Sequence, residues 1–360
     1  YVPQPLLPSI AAEVGVSRSQ AALLTTAAFL PLAILPLIYG VLIESLSTRR
    51  VIQTALATLL VTSLALHWID AFPVMIGLRL IQGAAVPAIL TALMTQVSRT
   101  TAPERVQRVM SFYIAATIVG GFAGRFVSGL VASELGWRAS FLLLAFGLAI
   151  GLAANLRVRR DVALRLSRPT LAGISATLRQ RYFVTLYVVI FCVFLVFTAV
   201  LNFLPFRVKE IDPSVNELGI GLMYSGYLVG LILALASTRI ARAAGDELRV
   251  VVFALLAYAV SVIGLLPPSL LWIFLNMLLF CGSMFLVHSL LSGLINRHAA
   301  EHKGVVNGLY VATYYGGGVI GSYVPGLVYV THGWSAFLMV LLAAGAVAAL
   351  AALSLRLRPA

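Results

Sequence analysis

The sequence predicts an all-α integral membrane protein of twelve helices, built as two six-helix repeats with the first helix cut short at its N-terminus. Three observations carry this. Hydrophobic residues make up 61% of the 360 residues and charged residues 10%, against roughly 25% charged in soluble domains. The apolar residues fall into runs of about 20 or more, the length that crosses a bilayer core. Finally, the chain repeats itself: 113–139 aligns without a gap on 310–336, an offset of 197, with 12 identities in 27 positions.

Bounded by charges and by Pro and Gly, the spans run 20–43, 50–69, 72–97, 105–132, 137–156, 182–205, 217–241, 249–267, 270–295, 303–330 and 334–356. Helices are expected because a lone strand cannot satisfy its backbone inside lipid. The offset of 197 maps Leu7-Pro8 onto Leu204-Pro205, where the seventh span ends. The first span is therefore expected to end at Leu7-Pro8, with about 15 of its residues lying before Tyr1. Residues 1–156 form the N-terminal repeat, 157–181 a cytoplasmic linker and 182–360 the C-terminal repeat. Within the linker, 171–179 reads as a short amphipathic helix lying along the membrane surface.

The net charge of +13 is an orientation signal. Alternate loops hold 19 and 4 of the 25 Lys and Arg, and Arg79 and Arg125 lie inside spans. Such a split places the arginine-rich loops and both termini in the cytoplasm, in a plasma (inner) membrane. It also argues against nucleic-acid binding. Cys192 and Cys281 lie within spans and imply no disulfide framework. No phosphate-binding Gly-rich loop ending in Lys-Ser/Thr and no His/Cys cluster occurs, so ATP-driven pumping, metal chemistry and enzymatic activity are not expected, and no cofactor is implied.

Several motifs follow one another at the right helices. Leu78-Arg79-Leu-Ile-Gln82-Gly83 resembles the fourth-helix motif of the major facilitator superfamily. Gly40-Val-Leu-Ile-Glu44-Ser-Leu-Ser47-Thr-Arg49-Arg50 resembles its cytoplasmic loop motif, with Glu44 and Ser47 in place of the usual Asp and Gly. Gly120-Gly121-Phe-Ala-Gly124-Arg125 resembles the fifth-helix motif of its proton-antiporter branches, with Arg125 where Pro is usual. Together with the parallel repeat, these features resemble a drug- or sugar-efflux member of that family over essentially the whole chain. The resemblance implies a monomeric secondary transporter with the twelve-helix fold of that family.

Arg79 lies near mid-membrane, where a guanidinium costs at least about 2.5–3.5 kcal/mol unless it meets water or a partner. Gln82 follows on the same face. Two readings stay open: a cavity residue that meets an anionic group or tunes a carboxylate, or a clamp on carbonyls of a neighbouring helix. Arg125 is expected either to reach outward to Glu134 or Glu217, or to act at the seam between repeats as a latch or second anion contact. His288 is either a bonded core histidine or a proton carrier. Asn276, Tyr39, Tyr113, Phe197, Asn202, Tyr224, Tyr310 and Tyr314 are further pocket candidates. Glu44, Arg49 and Arg50 are expected to latch neighbouring helices at the cytoplasmic face. Gly120, Gly124 and Gly129, with their repeats Gly317, Gly321 and Gly326, are expected to let helices approach closely.

The reading is a transporter that exports a small organic molecule against protons by alternating access. An organic-anion carrier using the intramembrane arginines, and a lipid flippase, are the alternatives. All twelve acidic residues lie in or beside loops, so a coupling carboxylate is expected in the missing part of the first helix, or the substrate itself supplies the negative charge.

Overall fold

A computed structural model describes residues 2–42, 46–101, 103–157, 170–299 and 303–356. In chain order the helices are α1 (Leu7–Val14), α2 (Arg18–Leu42), α3 (Thr48–Trp68), α4 (Phe72–Thr100), α5 (Pro103–Leu135), α6 (Trp137–Leu156), α7 (Leu171–Arg179), α8 (Arg181–Ile211), α9 (Glu217–Leu222), α10 (Gly226–Ala244), α11 (Glu247–Ile263), α12 (Leu270–His298) and α13 (Lys303–Arg356). Short 3-10 turns precede α1 (Gln4–Leu6) and α10 (Met223–Ser225). Among the described residues there is no strand. Nine segments there are long and apolar enough to cross a membrane. The expected full spans exceed that number because α11 has only 17 residues and α13 contains two spans joined at Gly333.

Helix ends follow local chemistry. Ser47, Thr170, Asn216, Asp246 and Ser269 each accept a backbone N–H of the first turn that follows, satisfying a donor with no partner inside the helix. Gly136 and Gly333, equivalent in the repeat, have φ of 80° and 81°, a conformation glycine adopts without a Cβ penalty. The tryptophan after each is buried. The repeated Gly-Trp pair is thus a tight turn plus an anchor.

Two expected boundaries are corrected. The helix ending expected at the Leu-Pro pairs does not occur there: α1 continues to Val14 and α8 to Ile211, positions again 197 apart. A proline removes one N–H and leaves the carbonyl four residues earlier without its helical donor. In α8 that carbonyl belongs to Leu201, and the Tyr224 hydroxyl donates to it at 2.8 Å, so the helix continues through Pro205. The span expected at 217–241 is broken at Met223–Ser225. Gly219, Gly221 and Gly226 weaken the helix there, and Gly221 and Gly226 lie against the backbones of α5 and α12.

Before the linker, α2 and α3 pack on α4, and α6 packs on α3 and α5. After it, α13 packs on α8 and α11, and α12 on α10 and α11. Across the two halves, α2 meets α13, α5 meets α9 and α10, and α1 meets α8. α8 is the most enclosed helix, buried along most of its length from Phe183 to Val208. Large apolar side chains such as Phe146, Ile232, Met339 and Leu350 stay exposed on the rim, as a lipid-facing surface requires.

The close approaches lie partly where the glycine rows place them. A Cβ at Gly317 or Gly321 would overlap the Phe191 or Leu195 carbonyl of α8, and one at Gly326 would overlap the Phe203 ring. In the first repeat Gly129 meets the Glu217 backbone and Gly83 the Ala28 carbonyl, whereas Gly120 and Gly124 have nothing within 4 Å among the described residues. The row does not act alike in both halves because α5 meets α9 and α10 near Gly121 and Gly129, while α13 lies along α8. Gly321→Val should therefore destabilise the protein by about 1–3 kcal/mol, lowering its unfolding midpoint in detergent. Gly147→Val, whose position is exposed and has open space around it, should leave the midpoint unchanged.

Candidate functional site

The bundle has an arginine-rich end and an opposite end carrying the connections 15–17, 69–71, 136, 212–216, 264–269 and 333. Toward that opposite end a buried polar relay crosses the molecule. Arg125, fully buried in α5, donates from Nε to Gln4 Oε1 at 2.7 Å and from Nη1 to the Gly121 carbonyl at 2.5 Å. Gln4 Nε2 donates to Asn202 Oδ1 at 2.7 Å, and Asn202 Nδ2 to the Ser322 carbonyl at 3.3 Å. Ser322 Oγ lies 2.7 Å from Thr26 Oγ1 of α2. The Arg125 guanidinium also sits 4.6 Å from the Tyr227 ring centre and 5.4 Å from that of Tyr224, a favourable arrangement for a desolvated cation. It therefore turns inward, and does not reach toward Glu134 or Glu217. Inside the bundle it finds acceptors and ring faces, while Ser9 donates to Glu217.

The same end is closed by charge. Arg18, opening α2, pairs with Glu210 at the end of α8. Glu210 also accepts from Tyr329 of α13 at 2.7 Å and from Arg207 at 3.3 Å. The bonds Gln4–Asn202, Ser9–Glu217, Arg18–Glu210 and Thr26–Ser322 join the two halves, and all four lie toward this sealed end.

Arg79 is buried and held within its own half. Nε donates to the Leu24 carbonyl at 2.9 Å and Nη1 to Gln82 Oε1 at 2.6 Å, while Gln82 Nε2 reaches Ser63 Oγ at 3.1 Å. The cluster joins α4 to α2 and α3. Nη2 has no acceptor among the described residues. Tyr39 donates to the Ala84 carbonyl and Tyr113 to that of Leu90, at 3.3 Å for the latter. Asn276 donates to the Ser261 carbonyl at 2.5 Å and lies against Gly264, which places it between α12 and α11, away from the seam.

His288 lies in the second half, 2.9 Å from the Tyr310 hydroxyl through Nδ1 and 4.9 Å from the Tyr314 ring centre. Tyr314 stacks on Phe194 at 3.6 Å, Phe194 on Phe197 at 6.1 Å, and Phe197 meets Tyr227 at 5.7 Å. An unbroken line of rings thus links His288 to Arg125. Phe29 of α2 joins it through Phe194 and Tyr315.

Of the expected latch, Glu44 lies outside the described residues. Arg49 donates to the Leu156 carbonyl at 2.8 Å, and the Arg50 backbone N–H to Ser47 Oγ. The structure brings Arg125, Asn202, Tyr224 and Phe197 together, and separately Arg79 with Gln82, and His288 with Tyr310 and Tyr314. Gln4, Thr26, Ser322, Arg18, Glu210 and Tyr227 were not among the expected site residues. The offset of 197 marks two of them, Ser322 opposite Arg125 and Glu210 opposite Glu13.

A family model described as the Major Facilitator Superfamily matches residues 1–322. The chain belongs to this superfamily. The major facilitator relatives include the inner membrane transport protein YnfM of Escherichia coli (strain K12), 26% identical over 93% of this chain and 81% of that protein. The MFS-type transporter YybF of Bacillus subtilis (strain 168) is 24% identical over 94% of this chain and 83% of its own length. Among solved structures, that of a point mutant of the nucleoside transporter NupG superposes with a TM-score of 0.81, at 12% identity, over 98% of this chain and 94% of that one. The chain is a multi-pass major facilitator transporter and not an enzyme.

Replacing Asn202 by Leu removes the acceptor of the Gln4 amide in an apolar interior. It should destabilise the protein by about 1–3 kcal/mol, read as the shift in unfolding midpoint. Thr26→Val, at the half-buried end of the relay, should cost less than Asn202→Leu in the same assay.

Proposed function

We propose that the protein is a secondary active transporter in which 1–156 rocks against 182–360. The sealed end is the outer one in this reading, and the arginine-rich end faces the cytoplasm, as the basic loops favour. One observation carries it: four hydrogen bonds placed among the described residues join the halves, and all four lie toward one end of the bundle. Two bodies joined there can part about that contact only if those bonds break, which makes them the gate of an alternating-access cycle. The direction we favour is efflux of a small organic molecule coupled to protons. The proton carrier in this reading is His288, set among Tyr310 and Tyr314.

A second reading has its own support. Arg79 uses Nε and Nη1 to hold its place, leaving Nη2 to meet the anionic group of an organic-anion substrate. Among the described residues the buried charged side chains are Arg79 and Arg125, both positive.

Thr26→Cys with Ser322→Cys places two thiols where the hydroxyls stand 2.7 Å apart. In proteoliposomes, oxidation of that pair should abolish flux and a reductant should restore it. Undiminished flux with the pair cross-linked would rule out opening at this end. For the coupling, flux should respond to an imposed pH gradient in the parent protein and lose that response in His288→Gln. Flux indifferent to the gradient in both removes the proton from the cycle and leaves the anion reading, in which Arg79→Lys retains part of the binding that Arg79→Ala loses.

A further inference from the structure

The corner where the sealed end closes contains a crevice of about 670 Å³ between the start of α2, the end of α8 and the bend at Gly333. Its polar lining is Ser17, Arg18, Arg207, Glu210 and Tyr329, with Trp334 as an aromatic wall. That volume falls within the range of small-molecule sites.

The corner is short of negative charge. Glu210 is the single carboxylate for two guanidiniums, and it already accepts from Arg18, Tyr329 and Arg207. Arg207 Nε is buried without an acceptor, an arrangement that costs the desolvation of a charged donor with nothing returned. Lys209, two residues on, points away, toward the Pro213 carbonyl. The repeat provides an internal comparison. Glu13 occupies the place of Glu210 in the first half, where it accepts from Trp137 Nε1 at 2.6 Å and pairs with Arg138. Arg138 also pairs with Asp70. That corner has two carboxylates for one guanidinium; its counterpart has one carboxylate for two.

We propose that this crevice is a binding site for an oxyanion carrying a flat apolar body. The anionic group would accept from the exposed N–H groups of Arg18 and Arg207, whose side chains are 39% and 20% exposed. The apolar body would lie along the exposed Val330 and the edge of Trp334 that lines the crevice. A guanidinium offers paired donors that match the geometry of a carboxylate or phosphate. Arg18 belongs to one half, and Arg207 and Trp334 to the other, so a bound anion bridges the halves and holds this end closed. That consequence rests on the alternating-access reading; the binding itself does not.

The test uses the full chain purified in detergent, titrated with sodium benzoate against sodium chloride at constant ionic strength while the unfolding midpoint is followed. The parent protein should show a saturable rise in midpoint that Arg207→Gln abolishes. Arg207→Lys, which keeps the charge but loses the planar fork, should weaken apparent affinity about tenfold. Should Arg207→Gln fail to fold, Arg207→Lys and Val330→Ala, the latter at an exposed position of the lining, carry the comparison. A parallel arm uses phosphatidylcholine nanodiscs with and without phosphatidylglycerol. Stabilisation by phosphatidylglycerol that disappears in the Arg207 variants, with benzoate silent, identifies the oxyanion as a lipid headgroup. Parent and Arg207 variants responding alike to both probes overturns the site. Loss of benzoate binding with flux unaffected would leave the binding site standing and remove only its gating consequence.

Discussion

The side chain of Gln4 is the junction on which the sealed end depends. Its oxygen accepts from Arg125 and its nitrogen donates to Asn202, so one amide serves both halves of the molecule. In a bundle this apolar an unpaired guanidinium is very costly, and Arg125 is wholly enclosed. The surroundings are accordingly arranged to satisfy it, with the Gly121 carbonyl on one side and the rings of Tyr224 and Tyr227 on the other. Tyr224 is fixed in turn by the carbonyl that Pro205 leaves without a donor. A proline in α8, a 3-10 turn before α10 and a buried arginine in α5 therefore form a single dependency.

The two repeats share a scaffold and differ in the chemistry set on it. Gly136-Trp137 and Gly333-Trp334 make the same turn, and α1 and α8 end at equivalent residues. On that common frame the first repeat carries Arg125 where the second carries Ser322, yet both side chains enter the same relay. Glu13 and Glu210 diverge in another way. One ties α1 to its own neighbour α6, and the other reaches across to α2. Equivalent positions of the duplicated unit thus take unlike partners.

Helix positions were legible because lipid imposes a strong local rule: about 20 apolar residues, all backbone bonds made internally. α7 begins and ends where its amphipathic segment does, with Thr170 capping its first turn. Legibility failed at the prolines. Pro8 and Pro205 read as helix ends, and nothing in the local sequence reveals that a tyrosine nineteen residues after Pro205 supplies the missing donor. It also failed at Gly120 and Gly124, whose spacing permits a close approach but does not name a partner.

By itself the sequence determined membrane residence, helix count and the repeat, because hydrophobic run length and self-similarity are properties of the chain alone. It also marked Arg79 and Arg125 as residues that require partners, since the cost of an intramembrane charge does not depend on knowing where the partner lies. Only the tertiary structure decided who those partners are. Arg79 is held by a carbonyl and a glutamine of its own half, and Arg125 by a glutamine that passes the bond on to the other half. Hydrogen bonds between residues 198 or 296 positions apart arise from how helices pack, and packing depends on every side chain at once.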